Sequence, residues 1–404
     1  MSFPTGSGPQ PADRRARAAV AALFLTNGAL FANLVPRYPE IKAALELDNT
    51  VYGLAVAAFP AGAIVAGLGA GFLVRRFGSA QAAAAGTILT GLGVLAAGIA
   101  PSFGLLVVAL LLGGAMDAVT DVAQNAHGLR VQRRYGRSII NGFHAVWSIG
   151  AVLGGSMGAA AIAVGLPLGV HLSISTAIFA TVALVALRFR LPGKDGDDDD
   201  ATSSTSDGRL RGAAISPRTV LVITALVLVA IGGTLAEDAG SSWATLYLSG
   251  SLGAPAALAA TGFVALVGTQ FVGRVLGDRL VDRFGQRTVA RGGGVIIALG
   301  MGLALAYPSV PGTILGFAAV GLGSATLVPA AMHEADELPG LRAGTGLTVV
   351  SWLMRLGFLA SPPLVGMVAD AVGLRYGLLV VPVAGLLVVL LAGVLQNQRA
   401  TPAS

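Results

Sequence analysis

Residues 73–78 read Leu-Val-Arg-Arg-Phe-Gly and residues 280–285 read Leu-Val-Asp-Arg-Phe-Gly, one six-residue phrase stated twice, 207 positions apart in a chain of 404. Each copy closes a long apolar stretch, 51–74 before the first and 257–280 before the second. Trp147 and Trp352 are separated by nearly the same offset, 205 residues. A phrase that returns after half the chain, in the same place relative to an apolar run, marks a duplication, and the two halves are expected to fold alike around a shared centre.

Counting outward from the two phrases, apolar stretches fall at 18–37, 51–74, 80–100, 103–127, 139–165 and 168–188, then at 219–241, 257–280, 289–307, 311–333, 343–369 and 376–395. Each is close to the roughly 20 residues a helix needs to cross a hydrocarbon core about 30 Å thick. With 54% hydrophobic residues, 11% charged and a mean hydropathy of +0.78, the chain lacks the charge to cover a water-soluble surface. In lipid every backbone polar group must be paired internally, which leaves helices or a closed barrel. Barrel strands alternate polar and apolar residues over about ten positions, and no stretch here does so. The expected fold class is therefore all-α integral membrane: twelve transmembrane helices in two pseudo-symmetric six-helix bundles. The expected organisation is a tail at 1–17, a bundle at 18–190, a solvated linker at 191–217, a second bundle at 218–396 and a tail at 397–404. The linker carries Asp197, Asp198, Asp199 and Asp200 and a Ser/Thr run.

The basic residues orient the chain. Arg14, Arg15, Arg17, Arg75, Arg76, Arg130, Arg133, Arg134 and Arg137 flank helices 1, 2 and 4 on one side, and the linker and the loops after helices 8 and 10 continue the series. That side collects 22 of the 26 basic residues. The other holds Arg37, Lys42 and Arg375, so the excess assigns both termini to the cytoplasm of a multi-pass protein in the inner (plasma) membrane. The same placement accounts for the net charge of +6 without any nucleic-acid partner. No cysteine is present, which removes disulfides, thiolate metal sites and thiol catalysis. The residues before Arg14 are polar and Pro/Gly-rich rather than a cleavable signal, so helix 1 is expected to stay attached.

These residues resemble the major facilitator superfamily, whose mark is a loop Gly-x-Leu-x-Asp-Arg-x-Gly after helix 2 with an echo after helix 8. Gly71, Leu73, Arg76 and Gly78 match it in the first copy, where Arg75 stands at the acidic position; Asp282, Arg283 and Gly285 keep it in the second. The resemblance covers about 14–399 and implies that these loops gate the cytoplasmic side. A narrower likeness lies in Asp121-Val-Ala-Gln-Asn125 followed by a basic loop and Gly142-Phe-His-Ala-Val-Trp-Ser-Ile-Gly150, which is similar to a bacterial branch near the fucose/proton symporters. In that branch an acidic residue on helix 4 is implicated in proton coupling, and Asp121 is the nearest match.

Charges inside a bilayer cost about 2.5–3.5 kcal/mol each at the centre on insertion scales, so each one asks for a reason. Asp117 and Asp121 lie one turn apart, about 6 Å along helix 4, and Asn125 continues their face. A carboxylate there can take up and release a proton as a cavity opens and closes; the bland alternative is hydrogen bonding to neighbouring helices or to Arg355. Arg355, in helix 11, needs an acceptor or a watery cavity, and serves either a substrate anion or an interhelix ion pair. Glu237 and Asp238 end helix 7 toward the outer face, pointing about 100° apart, and either is placed to guard the outer mouth. Asn27 and Asn33 on helix 1, with Gln124, Asn141 and Gln270, are donors and acceptors suited to sugar hydroxyls or to gluing helices. Trp147, Trp243 and Tyr247 fit either an apolar sugar face or an interfacial anchor.

Among the histidines, His127 and His333 close helices 4 and 10, where a helix C-terminus favours positive charge, and His144 in helix 5 is the candidate gate partner or proton relay. Gly150, Gly154 and Gly158 form a smooth stripe suited to close approach and to sliding between halves. The glycines at 67, 69 and 71 imitate a dinucleotide fingerprint but follow no strand. With no Walker loop, metal-ligand cluster or nucleophile elbow, the chain is not expected to be an enzyme or to need a cofactor or metal. The expected function is secondary active transport of a small solute by a monomer using alternating access and proton coupling, with sugar or polyol symport first. Proton-antiport efflux of drugs or metabolites is second, and a non-transporting receptor or scaffold third.

Overall fold

The computed structural model describes residues 10–135, 139–191, 216–338, 341 and 344–395, with Asn141 described in its backbone only. The acidic run at 197–200, Arg137, Lys194, Arg209, Arg211, Arg342, Arg399 and the tail at 397–404 lie outside the described residues, as do 1–9. Among the described residues regular structure is entirely helical, and twelve helical spans are long and apolar enough to cross a membrane. They are α1 (Pro11–Ala44), α2 (Asn49–Phe77), α3 (Ser79–Gly98), α4 (Phe103–Tyr135), α5 (Gly142–Ala163) and α6 (Leu168–Arg188). A second set follows: α7 (Pro217–Ser251), α8 (Ala256–Phe284), α9 (Gln286–Ala306), α10 (Val310–Asp336), α11 (Thr345–Val372) and α12 (Leu374–Val394). The number of spans is the one the hydropathy predicts.

Several ends differ from the hydropathy, for one reason. Apolarity reports where lipid stops, whereas a helix continues as long as its residues tolerate helical backbone. Thus α4 runs on through Arg130, Arg133 and Arg134 to Tyr135, and His127 lies inside it, buried, with its Nδ1 3.1 Å from the Ser79 hydroxyl; it does not cap a helix end. Likewise α7 runs to Leu246 and closes on a π turn at Tyr247–Ser251, so Glu237 and Asp238 sit inside the helix instead of closing it.

Helix starts follow local chemistry. At α7 the Ser216 hydroxyl accepts from the Thr219 amide at 3.1 Å with Pro217 in the first turn, and at α10 Ser309 does the same for Gly312 at 3.2 Å. Pro60, inside α2, lacks the amide that would bond back along the helix, yet the helix runs on through it. The α-helix is interrupted in α1 at Val35–Arg37, in α10 at Ala325–Thr326, in α11 at Met354 and in α12 at Leu378–Leu379.

The described residues of Met1–Arg37 and Ala58–Asp207 form one compact unit; those of Tyr38–Ala57 and Gly208–Ser404 form another. In the first, α1 and α5 meet backbone to backbone. A Cβ on Gly150 would lie 2.1 Å from the Leu25 carbonyl oxygen, and one on Gly154 would lie 2.3 Å from that of Ala29. The glycine stripe therefore serves close approach, as expected, but its partner is helix 1 of the same unit, which corrects the reading of a sliding face between halves. In the second unit α9 meets α10 in the same manner, a Cβ on Gly323 falling 2.4 Å from the Gly293 carbonyl oxygen.

The repeated phrase takes one shape in both units. Gly78 turns with φ 88° and Gly285 with φ 80°, and each amide bonds back four residues, to Val74 at 2.8 Å and to Val281 at 2.7 Å. Positive φ at the residue that ends one helix and starts the next is where only glycine is unstrained, which is why both copies end on it.

Candidate functional site

Three helices of the first unit converge on the Asn27 side chain. From α5, the Trp147 indole N–H donates to the Asn27 carbonyl oxygen at 2.9 Å, and from α4 the Gln124 amide donates to the same oxygen at 3.3 Å. An indole N–H can only donate, so the oxygen of the amide must face it and the NH2 must face the other way. There Asn27 Nδ2 donates to Asp117 Oδ1 at 2.7 Å. One turn along α4, Asn125 Nδ2 donates to Asp121 Oδ1 at 3.0 Å and to the Asp121 carbonyl at 2.8 Å, while Gln124 Nε2 lies 3.5 Å from Asp121 Oδ1. Gln124 thus links Asp121 to Asn27, and Asn27 in turn holds Asp117.

Asn27 and Gln124 are buried, Asp117 and Asn125 are half-buried and Asp121 is exposed on its helix. The cluster is graded from a fixed, packed end at Asn27 to an accessible end at Asp121, so a carboxylate here can exchange a proton or accept from a hydroxylated solute without disturbing the packed end.

The structure brings together Asp117, Asp121, Asn125 and Asn27 of the expected site, with Trp147 and Gln124 as binding partners for Asn27. Trp147 is therefore hydrogen-bonded inside the bundle, not a membrane-interface anchor. His144 is exposed on the neighbouring turn of α5 and meets Phe24 edge-on, ring centres 5.3 Å apart, next to the Phe24–Phe143 stack. Sequence reasoning passed over His171, which is buried and places Nε2 2.9 Å from Asn33 Oδ1, a bond joining α6 to α1.

The remaining expected residues lie in the second unit. Trp243 is fully buried and Tyr247 nearly so, because α7 continues past them. Trp243 packs edge-on against Tyr52, centres 4.9 Å apart; Tyr52 in turn meets Tyr38 at 5.7 Å and donates its hydroxyl to the Ser242 carbonyl at 2.8 Å. This places both α7 aromatics in packing. Glu237 is half-buried on α7, and Arg355 is half-buried at the first residue after the break in α11, with no hydrogen bond among the described residues. Gly71 faces open space apart from the Arg75 guanidinium, and Arg76, Asp282 and Arg283 are exposed on the turns that end at Gly78 and Gly285. One further contact had no sequence signal: Asp370, at the end of α11, accepts from the amides of Asn49 and Thr50 at 3.0 and 2.7 Å, from Asn49 Nδ2 at 2.8 Å and from the Thr50 hydroxyl at 2.6 Å. It caps the first turn of α2 from another helix.

A duplicated set of twelve membrane helices with a carboxylate and amide cluster on its own helices defines a multi-pass solute transporter and not an enzyme. The chain belongs to the Major Facilitator Superfamily, whose model matches residues 20–280 and 242–404. It is 29% identical over 378 residues to the uncharacterized transporter y4wD of Sinorhizobium fredii, covering 94% of this chain and 97% of that one. Its fold is similar to that of the nucleoside transporter NupG, with a TM-score of 0.73 at 14% identity over 95% of this chain and 98% of the other. It is also similar to the Escherichia coli fucose:proton symporter FucP, at 0.57 and 17% identity over 93% and 97%.

Proposed function

We propose that this protein is a proton-coupled secondary transporter of the inner membrane, with both termini cytoplasmic, that acts as a monomer and moves a small hydroxylated solute, a sugar or polyol, by symport. The observation that carries the reading is the Asn27 amide, locked by Trp147 and Gln124 so that it presents its NH2 to Asp117. Protonation of Asp117 adds a donor that the ionised carboxylate lacks, and the rest of the cluster must re-pair around it. A proton arriving at Asp121 or Asp117 thereby changes which hydrogen bonds α1, α4 and α5 offer to a solute, which is the linkage symport requires. Asn125, Gln124 and Asp121 supply the donors and acceptors that hydroxyl groups need. The branch near the fucose/proton symporters fits this reading, and FucP shares the fold.

The test is solute-driven proton movement in proteoliposomes challenged with sugars, polyols, nucleosides and lipophilic organic cations, with Asp121→Asn and Asp117→Asn beside the parent. Inward proton flux with a hydroxylated solute, lost in either variant, is the expected result. Outward proton movement against an organic cation identifies antiport efflux and overturns the symport assignment; solute flux without proton movement overturns the coupling.

A further inference from the structure

A second carboxyl group of interest lies half-buried on α7, with one of its two oxygens closed off. Asp238 lies in mid-helix on α7, between the buried residues Thr234 and Ser242. The Ser361 side chain of α11 and the Ser242 side chain of α7 lie beside its carboxyl group, the Ser361 hydroxyl donating to the Leu235 carbonyl at 3.4 Å. Its Oδ2 is buried from solvent and has no hydrogen-bond partner. The titratable groups that face it are Glu237 on the same helix and the Tyr38 and Tyr52 phenols. No lysine or arginine pairs with it among the described residues. An ionised carboxyl without a cation is costly in such a place, and one of its oxygens is unserved.

What covers the carboxyl comes from a distinct stretch of chain. Residues 38–57 pack as part of the second unit, although α2 continues past them into the first. Tyr38 and Tyr52 from this stretch are fully buried; Tyr38 meets Tyr52 edge-on, and Tyr52 meets Trp243, about one turn beyond Asp238 on α7, in the same way. The stretch is fastened at three points. Tyr52 bonds to the Ser242 carbonyl; Gly53 and Gly366 let α2 and α11 touch, a Cβ on either falling 2.3 Å from a carbonyl oxygen of the other helix; and Asp370 caps the α2 N-terminus. The fastened part ends at Ala57, three residues before the helix-weakening Pro60.

We propose that Asp238, and not its neighbour Glu237, is a second proton-binding carboxyl of the transport cycle, whose Oδ2 is reached by water only when the cover formed by residues 38–57 is lifted. The O–H bond forms at the unpartnered Oδ2 with a proton taken from a hydronium ion in the water on the side the cover closes, and breaks when the cover next lifts and the proton returns to that water. The proposal rests on the proton-coupled reading above, and it assigns the second unit a proton site of its own.

The experiment needs no known solute. Purified protein in lipid is titrated while the infrared carboxyl C=O band is followed, in the parent, Asp238→Asn, Glu237→Gln and Asp117→Asn. In parallel the parent is treated with an apolar carbodiimide, which modifies protonated carboxyls, and the adducts are located by peptide mass. The expected result is loss of one titrating carboxyl in Asp238→Asn, its retention in Glu237→Gln and Asp117→Asn, and an adduct on Asp238 that diminishes as pH rises. Tyr52→Phe, which removes the bond to Ser242, raises the labelling rate of Asp238 several-fold. A band unchanged in Asp238→Asn together with an unlabelled Asp238 overturns the proposal, and labelling of the parent decides the matter if Asp238→Asn does not fold. Loss of titration in Asp117→Asn alone overturns this site while leaving proton coupling in the first unit intact.

Discussion

The Trp147 indole donates to the Asn27 side-chain oxygen at 2.9 Å, and this single bond between α5 and α1 determines that the Asn27 amide nitrogen points at Asp117. Asparagine is symmetric in shape and asymmetric in chemistry, so a donor-only neighbour is what makes its orientation definite. Replacing Trp147 by Phe keeps an aromatic ring and removes the donor. The Asn27 oxygen then retains only Gln124, and the amide is free to turn. The expected outcome is a loss of about 1 kcal/mol of stability, the net value of a hydrogen bond, with a larger proportional fall in transport. Trp147→Phe is compared with Asn27→Leu by thermal unfolding in detergent and by uptake into proteoliposomes. Equal uptake by parent and Trp147→Phe contradicts the role assigned to the bond.

Backbone contact between α1 and α5 makes a sharp contrast among glycines. Gly154→Ala places a methyl 2.3 Å from the Ala29 carbonyl oxygen, so the helices must separate; a cost of roughly 1–3 kcal/mol is expected for overpacking. Gly69→Ala, in α2, meets nothing within 4 Å and is expected to be neutral or to gain up to about 1 kcal/mol from helix propensity. Paired thermal unfolding of the two variants reads the difference directly.

Gly78 and Gly285 predict matched behaviour in the two units. Alanine at either must adopt a positive φ, near 88° and 80°, with extended ψ, at a cost of about 1–3 kcal/mol. Gly78→Ala also crowds the Gln81 side chain, whose oxygen would lie 2.7 Å from the new carbon. Both variants are expected to unfold at lower temperature than the parent, with Gly78→Ala the lower of the two.

Asp370 accepts four hydrogen bonds from the first turn of α2, which makes it a cap supplied from another helix. Asp370→Ala leaves the Asn49 and Thr50 amides without that acceptor, and a loss near 1 kcal/mol is expected by analogy with N-cap removal. Limited proteolysis or hydrogen exchange at residues 45–57 is expected to rise in Asp370→Ala, and to rise less in Asp370→Asn, which keeps one acceptor oxygen. Unchanged exchange there contradicts the capping role.

Membrane helices announce themselves by length and hydropathy, so all twelve spans are readable from the chain, and the phrase at 73–78 and 280–285 declares the duplicated turn that Gly78 and Gly285 then build identically. Helix ends are less legible. Arg130, Arg133 and Arg134 look like loop residues because they leave lipid, yet they extend α4 by two turns beyond the apolar stretch. Which face of a helix carries function is the hardest part to read, because in lipid both the packed and the outward faces are apolar and the usual periodicity is weak. The pairing of Asp117 with Asn27 spans 90 residues and has no local signature. Asp121, Asp117, Asn125 and Asn27 stood out as polar residues in apolar stretches, and the structure joins them. The burial of Trp243 and Tyr247 was hidden because the apolar stretch at 219–241 ends before the helix does.

The most direct test of proton coupling at the Asn27–Asp117–Asp121 cluster separates exchange from accumulation. Once a transported solute is identified, counterflow in proteoliposomes, which needs no net proton movement, is measured beside uptake driven by an imposed proton gradient. For Asp117→Asn the account predicts counterflow close to that of the parent and gradient-driven accumulation reduced at least tenfold. Accumulation that survives in Asp117→Asn and in Asp121→Asn, with the proton gradient still required, contradicts it.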